Sequence, residues 1–173
     1  GPFESYLFRA NDTITGSGKR DKLDGYGGDD TINGRGGNDH ITASAGGDVL
    51  NGGAGNDTMI GGRGNDGYFV DSADDVVVED ARGGFDHVYS TIDYVLGAEL
   101  EFLTLLGTAI NGTGNALINK IAGNDSDNVL SGDEGDDTLA GNRGDDTLIG
   151  GDGGDGYVYE FGDGHDVIIE AED

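Results

Sequence analysis

The residues most able to do chemistry are aspartates set nine apart: Asp12, Asp21, Asp30, Asp39, Asp48, Asp57, Asp66 and Asp75. Neighbouring carboxylates can serve as acid and nucleophile in glycoside hydrolysis. One aspartate in every nine residues, however, makes close carboxylates unavoidable, and repeated capture of a hard cation accounts for all of them at once. Two places after each aspartate stands an apolar side chain: Ile14, Leu23, Ile32, Ile41, Leu50, Met59, Tyr68 and Val77. Glycines fill the intervals. The stretch Gly52-Gly53-Ala54-Gly55-Asn56-Asp57-Thr58-Met59-Ile60, followed by Gly61-Gly62-Arg63-Gly64-Asn65-Asp66, shows the unit as G-G-x-G-x-D-x-U-x, with U apolar.

Elements follow from this spacing. Paired glycines and a third two places on suit a turn at positive φ, where a side chain would clash. The last three positions read as a very short strand with one inward residue. Such a strand is too short to stand alone. Two blocks make one rung, and rungs stack as two parallel sheets at about 4.8 Å spacing, which brings aspartates two blocks apart into register. Stacked carboxylates repel by about 4 kcal/mol per pair at ~4 Å for an effective dielectric of ~20 unless a cation separates them. Calcium, with six to eight oxygen ligands in flexible geometry, fits that gap.

This sequence resembles the RTX family of calcium-binding nonapeptide repeats found in secreted bacterial proteins, over residues 7–78 and again over 114–158. The resemblance implies an all-β parallel β-roll with several calcium ions held between turns by sixth-place aspartates and main-chain carbonyls. Carried over residue by residue, the best-matched ligands are Gly53, Gly55, Asp57, Gly62, Gly64 and Asp66. Gly25, Gly28, Asp30, Gly34, Gly37, Asp39, Asp48, Gly52, Gly61 and Asp75 complete the first set. Gly132, Gly135, Asp137, Gly141, Gly144, Asp146, Gly151, Gly153, Asp155 and Asp166 form the second. The resemblance also implies export by type I secretion, an unfolded state in calcium-poor cytoplasm, folding outside the cell, and attachment to adjoining domains of a larger protein.

The pattern is uneven. Arg9, Lys19 and Arg20 place cations in the first loops, which weakens Asp12 and Asp21 as ligands. The block of Asp75 has no glycines and reads as a closing strand. Residues 79–113 lose the period and carry Phe85, Val88, Tyr89, Ile92, Tyr94, Leu100, Phe102, Leu103 and Leu105, which predicts metal-free strands bridging two rolls. The period returns at 114–158, with Asn119 and Asn128 in the sixth place. Asparagine brings an amide oxygen but no charge, so those rungs should stack by hydrogen bonds and bind little metal. Asp166 follows Asp155 by eleven, which suggests that residues 159–173 form a capping strand.

A net charge of −26 over 173 residues excludes nucleic acid and anionic membrane as default partners. It also opposes compaction without metal. The 36 glycines recur with a period, which separates the chain from a disordered composition. With no cysteine, metal ions would replace disulfides as staples. No apolar run is long enough to span a bilayer, and the start carries no export signal. Gly1-Pro2 has the look of a protease-cleavage remnant, which predicts a piece of a longer protein.

Other signals weigh less. His40, His87 and His165 each neighbour an aspartate, but no two share a zinc-ligand spacing, so they read as surface histidines. Gly16-Ser17-Gly18-Lys19-Arg20 lacks the remaining elements of a phosphate loop. The Asn-x-Thr triplets at Asn11 and Asn56 fall inside the repeat loops, and Asn111 is read the same way, as incidental. Asp125-Ser126-Asp127 opens like an EF-hand but lacks its glycine and closing glutamate. The expectation is a non-enzymatic calcium module. A module that binds extracellular polysaccharide or a cell surface is the second reading, and only scattered Tyr26, Arg35, Arg63 and Arg143 support it.

Overall fold

A computed structural model describes residues 9–81 and 83–170. Gly1-Pro2, the opening Leu7-Phe8 of the first block and the last three residues of the expected capping strand lie outside the described residues. The described residues form strands and turns without a helix, so none of them forms a helix long and apolar enough to cross a membrane. The chain divides into two compact units between His87 and Val88.

In the first unit, β1 (Thr13–Thr15), β3 (Thr31–Asn33), β5 (Val49–Asn51) and β7 (Gly67–Val70) pair in parallel in that order. The intervening strands β2 (Lys22–Asp24), β4 (His40–Ala45), β6 (Thr58–Arg63) and β8 (Val76–Val78) make a second parallel sheet. Partners stand 18 residues apart, as Ile32 opposite Leu50 and Ile41 opposite Met59. This is the register that two nine-residue blocks per rung require. Strand alternation turns the U residue of each block inward. Ile32, Leu50 and Tyr68 from one sheet and Ile41 and Met59 from the other are fully buried. Burying an aliphatic side chain of this size is worth about 1.5–3 kcal/mol.

The second unit follows the same plan. One sheet contains β11 (Phe102–Leu105), β13 (Lys120–Ala122), β15 (Thr138–Ala140) and β17 (Gly156–Val158), preceded in the chain by β9 (His87–Ser90). The other runs β10 (Tyr94–Val95), β12 (Asn111–Thr113), β14 (Val129–Glu134), β16 (Thr147–Asp152) and β18 (Val167–Ile169). Leu103, Ile121, Leu130, Leu139 and Leu148 form its core. Stretches without the motif keep the 18-residue step, since Tyr94 faces Gly112 and Phe102 faces Lys120. Between Leu148 and Ile168 the step lengthens to 20. Leu117 is 36% exposed, and its N–H closes a turn onto Asn115 Oδ1 at 2.8 Å. Both units are parallel β-rolls, the all-β class that the repeat predicted.

Candidate metal centre

Turns are set by backbone shape. The second place of the unit has positive φ at Gly53, Gly62 and Gly151, and the same conformation is forced on Tyr26, Arg35, Ser44, Asp133 and Asn142 where glycine is missing. The fourth place is tighter still. Gly55 has φ 152°, and a Cβ there would run into the carbonyl oxygen of Gly37, one turn below. Stacked turns therefore approach each other backbone to backbone, with their oxygens close together.

Into this space each sixth-place aspartate sends two differently employed oxygens. Oδ1 accepts the N–H of the residue 18 places earlier. Asp30 Oδ1 takes it from Asp12 (2.8 Å), Asp48 from Asp30 (2.7 Å) and Asp66 from Asp48 (2.8 Å). On the other side Asp39 takes it from Asp21 (2.8 Å), Asp57 from Asp39 (2.7 Å) and Asp75 from Asp57 (2.9 Å). In the second unit Asp137, Asp146 and Asp155 do the same for Asn119, Asn128 and Asp137, at 2.7, 2.7 and 2.8 Å. These ladders draw the sixth-place residues of each unit into two columns.

The second oxygen is idle. Oδ2 of Asp30, Asp39, Asp48, Asp57, Asp66, Asp137, Asp146 and Asp155 is buried with no hydrogen-bond partner. A buried carboxylate oxygen without a partner is costly, and a coordinating cation relieves that cost. A second oxygen is at hand: the place beside the Gly34 Cα where a side chain would begin is crowded by Asp39 Oδ2 and by the carbonyl oxygen of Gly52 in the next turn. Gly132 is crowded in the same way by Asp137 Oδ2 and the Gly150 carbonyl. Carboxylate and carbonyl oxygens drawn from successive turns are the donor set a calcium ion takes. Where a block opens with glycine, as at Gly34 and Gly132, the missing side chain leaves room for these oxygens to converge.

Electrostatics agree with the geometry. Burial, opposed by the backbone hydrogen bond and reinforced by neighbouring aspartates, pushes Asp48 up to about 6 and Asp66 up to about 7. Asp30, Asp57, Asp137 and Asp146 are raised for the same first reason.

At Asp21 and Asp75 the second oxygen is already satisfied. Asp21 Oδ2 accepts the Ser17 N–H and hydroxyl at 2.6 and 2.9 Å, and Asp75 Oδ2 accepts the N–H groups of Asp71 and Ser72 at 3.3 and 3.1 Å. Asp166 Oδ1 takes the Asp146 N–H at 3.1 Å, on the lengthened 20-residue step. Asn119 and Asn128 close their turns with their own amides. Each Oδ1 accepts an N–H of its own loop, from Asn115 at 2.7 Å and Asn124 at 2.8 Å. Asn119 Nδ2 donates to the Leu100 and Glu101 carbonyls at 3.1 and 3.4 Å, and Asn128 Nδ2 to those of Ala109 and Ile110 at 3.1 and 3.2 Å.

Two residues that the repeat did not single out join a column end. Asp86, 20 places after Asp66, accepts the Asp66 N–H on Oδ1 at 2.8 Å. Glu79, just past β8, lies within reach of both, since one oxygen from each of Asp66, Glu79 and Asp86 falls within 4.8 Å of the others. The signal for Asp86 was in the sequence, as Gly84-Phe85-Asp86-His87-Val88 parallels Gly164-His165-Asp166-Val167-Ile168.

Comparison with known families matches the RTX calcium-binding nonapeptide repeat in four copies, at residues 8–41, 33–68, 42–77 and 113–157, which together cover more than half of the chain. No curated protein matched the chain. The repeat, its 18-residue stacking and the idle carboxylate oxygens between turns lead to one assignment: this chain belongs to the RTX calcium-binding nonapeptide repeat family, as a calcium-binding β-roll.

Proposed function

We propose that this chain is a calcium-triggered folding module of a larger exported protein, which stays open where calcium is scarce and closes outside the cell. The observation that carries this reading is the row of buried, unpartnered Oδ2 atoms from Asp30 to Asp66 and from Asp137 to Asp155. Those atoms make the folded state costly without metal, on top of a net charge of −26. Each ion present at ~100 times its dissociation constant adds roughly 2.7 kcal/mol to the folded state. A few such ions match the whole stability of a small domain, about 5–15 kcal/mol. Within the module, the ions occupy the Asp30–Asp66 turns and the Asp137–Asp155 turns, with residues 87–113 as the metal-free part. Its partners are calcium and the adjoining domains, for which the closed roll is a stable neighbour.

Circular dichroism tests this. In excess chelator the chain should lose most of its β signal and regain it on adding calcium. Magnesium, which prefers rigid octahedral sites and holds its water, should substitute poorly. Native β signal that survives exhaustive chelation would end the proposal.

A further inference from the structure

Glu79 and Asp86 fall outside all four matched repeat stretches, yet the fold brings them to the last glycine-rich turn of the first unit. We infer that Glu79 and Asp86 join Asp66 in a site for a calcium-class divalent cation at the end of its column, built from three side-chain carboxylates. The inference rests on the calcium-dependent folding proposed above.

Three observations converge. First, Asp66 is 2% exposed and its Oδ2, without a hydrogen-bond partner, is aimed into the cluster. Second, the oxygens share one spot: Asp66 Oδ2, Glu79 Oε1 and the Tyr68 hydroxyl all fall within 2.7 Å of the point where a Cβ on Gly61 would stand. Only a glycine at position 61 leaves that spot open. Third, hydrogen bonds fix the direction of the Glu79 carboxyl group. The Tyr68 hydroxyl donates to its Oε1, and the N–H groups of Gly62 and Asp80 donate to its Oε2 at 3.2 Å each. Hydrogen bonds of this kind favour the charged carboxylate and fix its direction.

The second unit contains half of the same arrangement. Asp155 Oδ2, the Tyr157 hydroxyl and Glu170 Oε2 fall within 2.7 Å of the corresponding point on Gly150. Both turns carry Asp-Gly-Tyr where most blocks have an aliphatic residue: Asp66-Gly67-Tyr68 and Asp155-Gly156-Tyr157. Among the described residues, only the first gathers a third carboxylate. Calcium affinity rises with the number of charged ligands and with the rigidity of the site. The Asp66–Glu79–Asp86 site is thus the tightest in the first unit.

Calcium titration calorimetry on the full chain and on Glu79→Gln tests the inference, because the amide keeps the side-chain shape and removes the charge. The variant should bind one calcium fewer, with the tightest class missing. Equal stoichiometry and equal affinities in the two proteins overturn it. If Glu79→Gln does not fold in calcium, terbium emission excited through tyrosine decides the matter. Tyr68→Phe should lower the emission of the first terbium equivalent several-fold, and unchanged emission overturns the site. A wild type that binds no calcium removes the folding reading and this site together. A wild type that folds on calcium, with Glu79→Gln binding just as many ions, removes this site alone.

Discussion

At Asp57 and at Asn128 the chain puts different atoms into one position of the turn. The Asp57 carboxylate takes the N–H of Asp39 on one oxygen and leaves the other buried and idle. The Asn128 side chain spends its carbonyl oxygen on the Asn124 N–H, and its amide on the carbonyls of Ala109 and Ile110. One turn is incomplete without a cation and the other is complete with none. A single N-for-O exchange therefore decides whether a turn keeps a buried carboxylate oxygen without a partner, while strand register and core stay the same. Ile41 opposite Met59 and Leu130 opposite Leu148 pack alike in the two settings.

The largest test of this contrast is hydrogen exchange after chelation. Protection should vanish from residues 25–66 and persist, if anywhere, between Val88 and Leu130, where Asn119 and Asn128 close their own turns. Residual protection confined to the first unit would refute it. Exchanging the residues comes next. Asn128→Asp turns an amide donor into a carboxylate facing two carbonyl oxygens, which should cost about 1–3 kcal/mol in chelator, with part of the loss recovered in calcium. The readout is urea unfolding in both conditions, and a variant insensitive to calcium would break the comparison. Asp57→Ala should likewise lower calcium affinity and melting temperature more than Asp21→Ala or Asp75→Ala, whose second oxygens are already bonded within their own loops.

Acidity offers a third handle. Asp48, pushed up to about 6, and Asp66 and Glu79, each pushed up to about 7, bind a proton more tightly in the folded chain than in the unfolded one. Their contribution to metal-free stability is therefore fully present below about pH 4, near the unfolded carboxylate value, and is lost as pH rises through 6 to 7. Chelated protein should gain β signal when taken from pH 8 to pH 5, and calcium binding at pH 7 should release protons. A β signal flat across that range would contradict the burial argument. The smallest effect expected is at the strained turn positions. Arg35, at φ 74°, occupies a place where Gly53 and Gly62 stand in later blocks. Arg35→Gly should raise the calcium-loaded stability by up to about 1 kcal/mol, and thermal unfolding resolves a change of that size.

The nine-residue period made the rung, the parallel stacking and the inward side chains legible, because each depends on a fixed offset from Asp30, Asp57 or Asp137. Less legible was residue 79–113. There the motif vanishes while Tyr94 and Phe102 keep the 18-residue step, since register follows from the shape of the layer beneath and not from local residue types. The unequal roles of the aspartates were hidden as well. Asp57 and Asp75 occupy the same place in their blocks, and only Ser72 and the chain around it satisfy the second oxygen of Asp75. Glu79 was out of reach for a similar reason, because its meaning comes from Tyr68, 11 residues away and folded against it.

The ladder of N–H groups donating to Oδ1 points one way along the chain. Asp30 N–H needs Asp48, Asp48 N–H needs Asp66, and Asp66 N–H needs Asp86. Strand amides run the other way, with Thr31 N–H on the Asp12 carbonyl, Val49 N–H on that of Asp30 and Gly67 N–H on that of Asp48. Each turn therefore leans on both neighbours, through a carboxylate of the turn that follows and through the main chain of the turn that precedes. The carboxylate ladder has a grain: loss of one aspartate strands the buried N–H 18 or 20 places before it, at a cost of about 1–3 kcal/mol, and leaves the main-chain bonds in place.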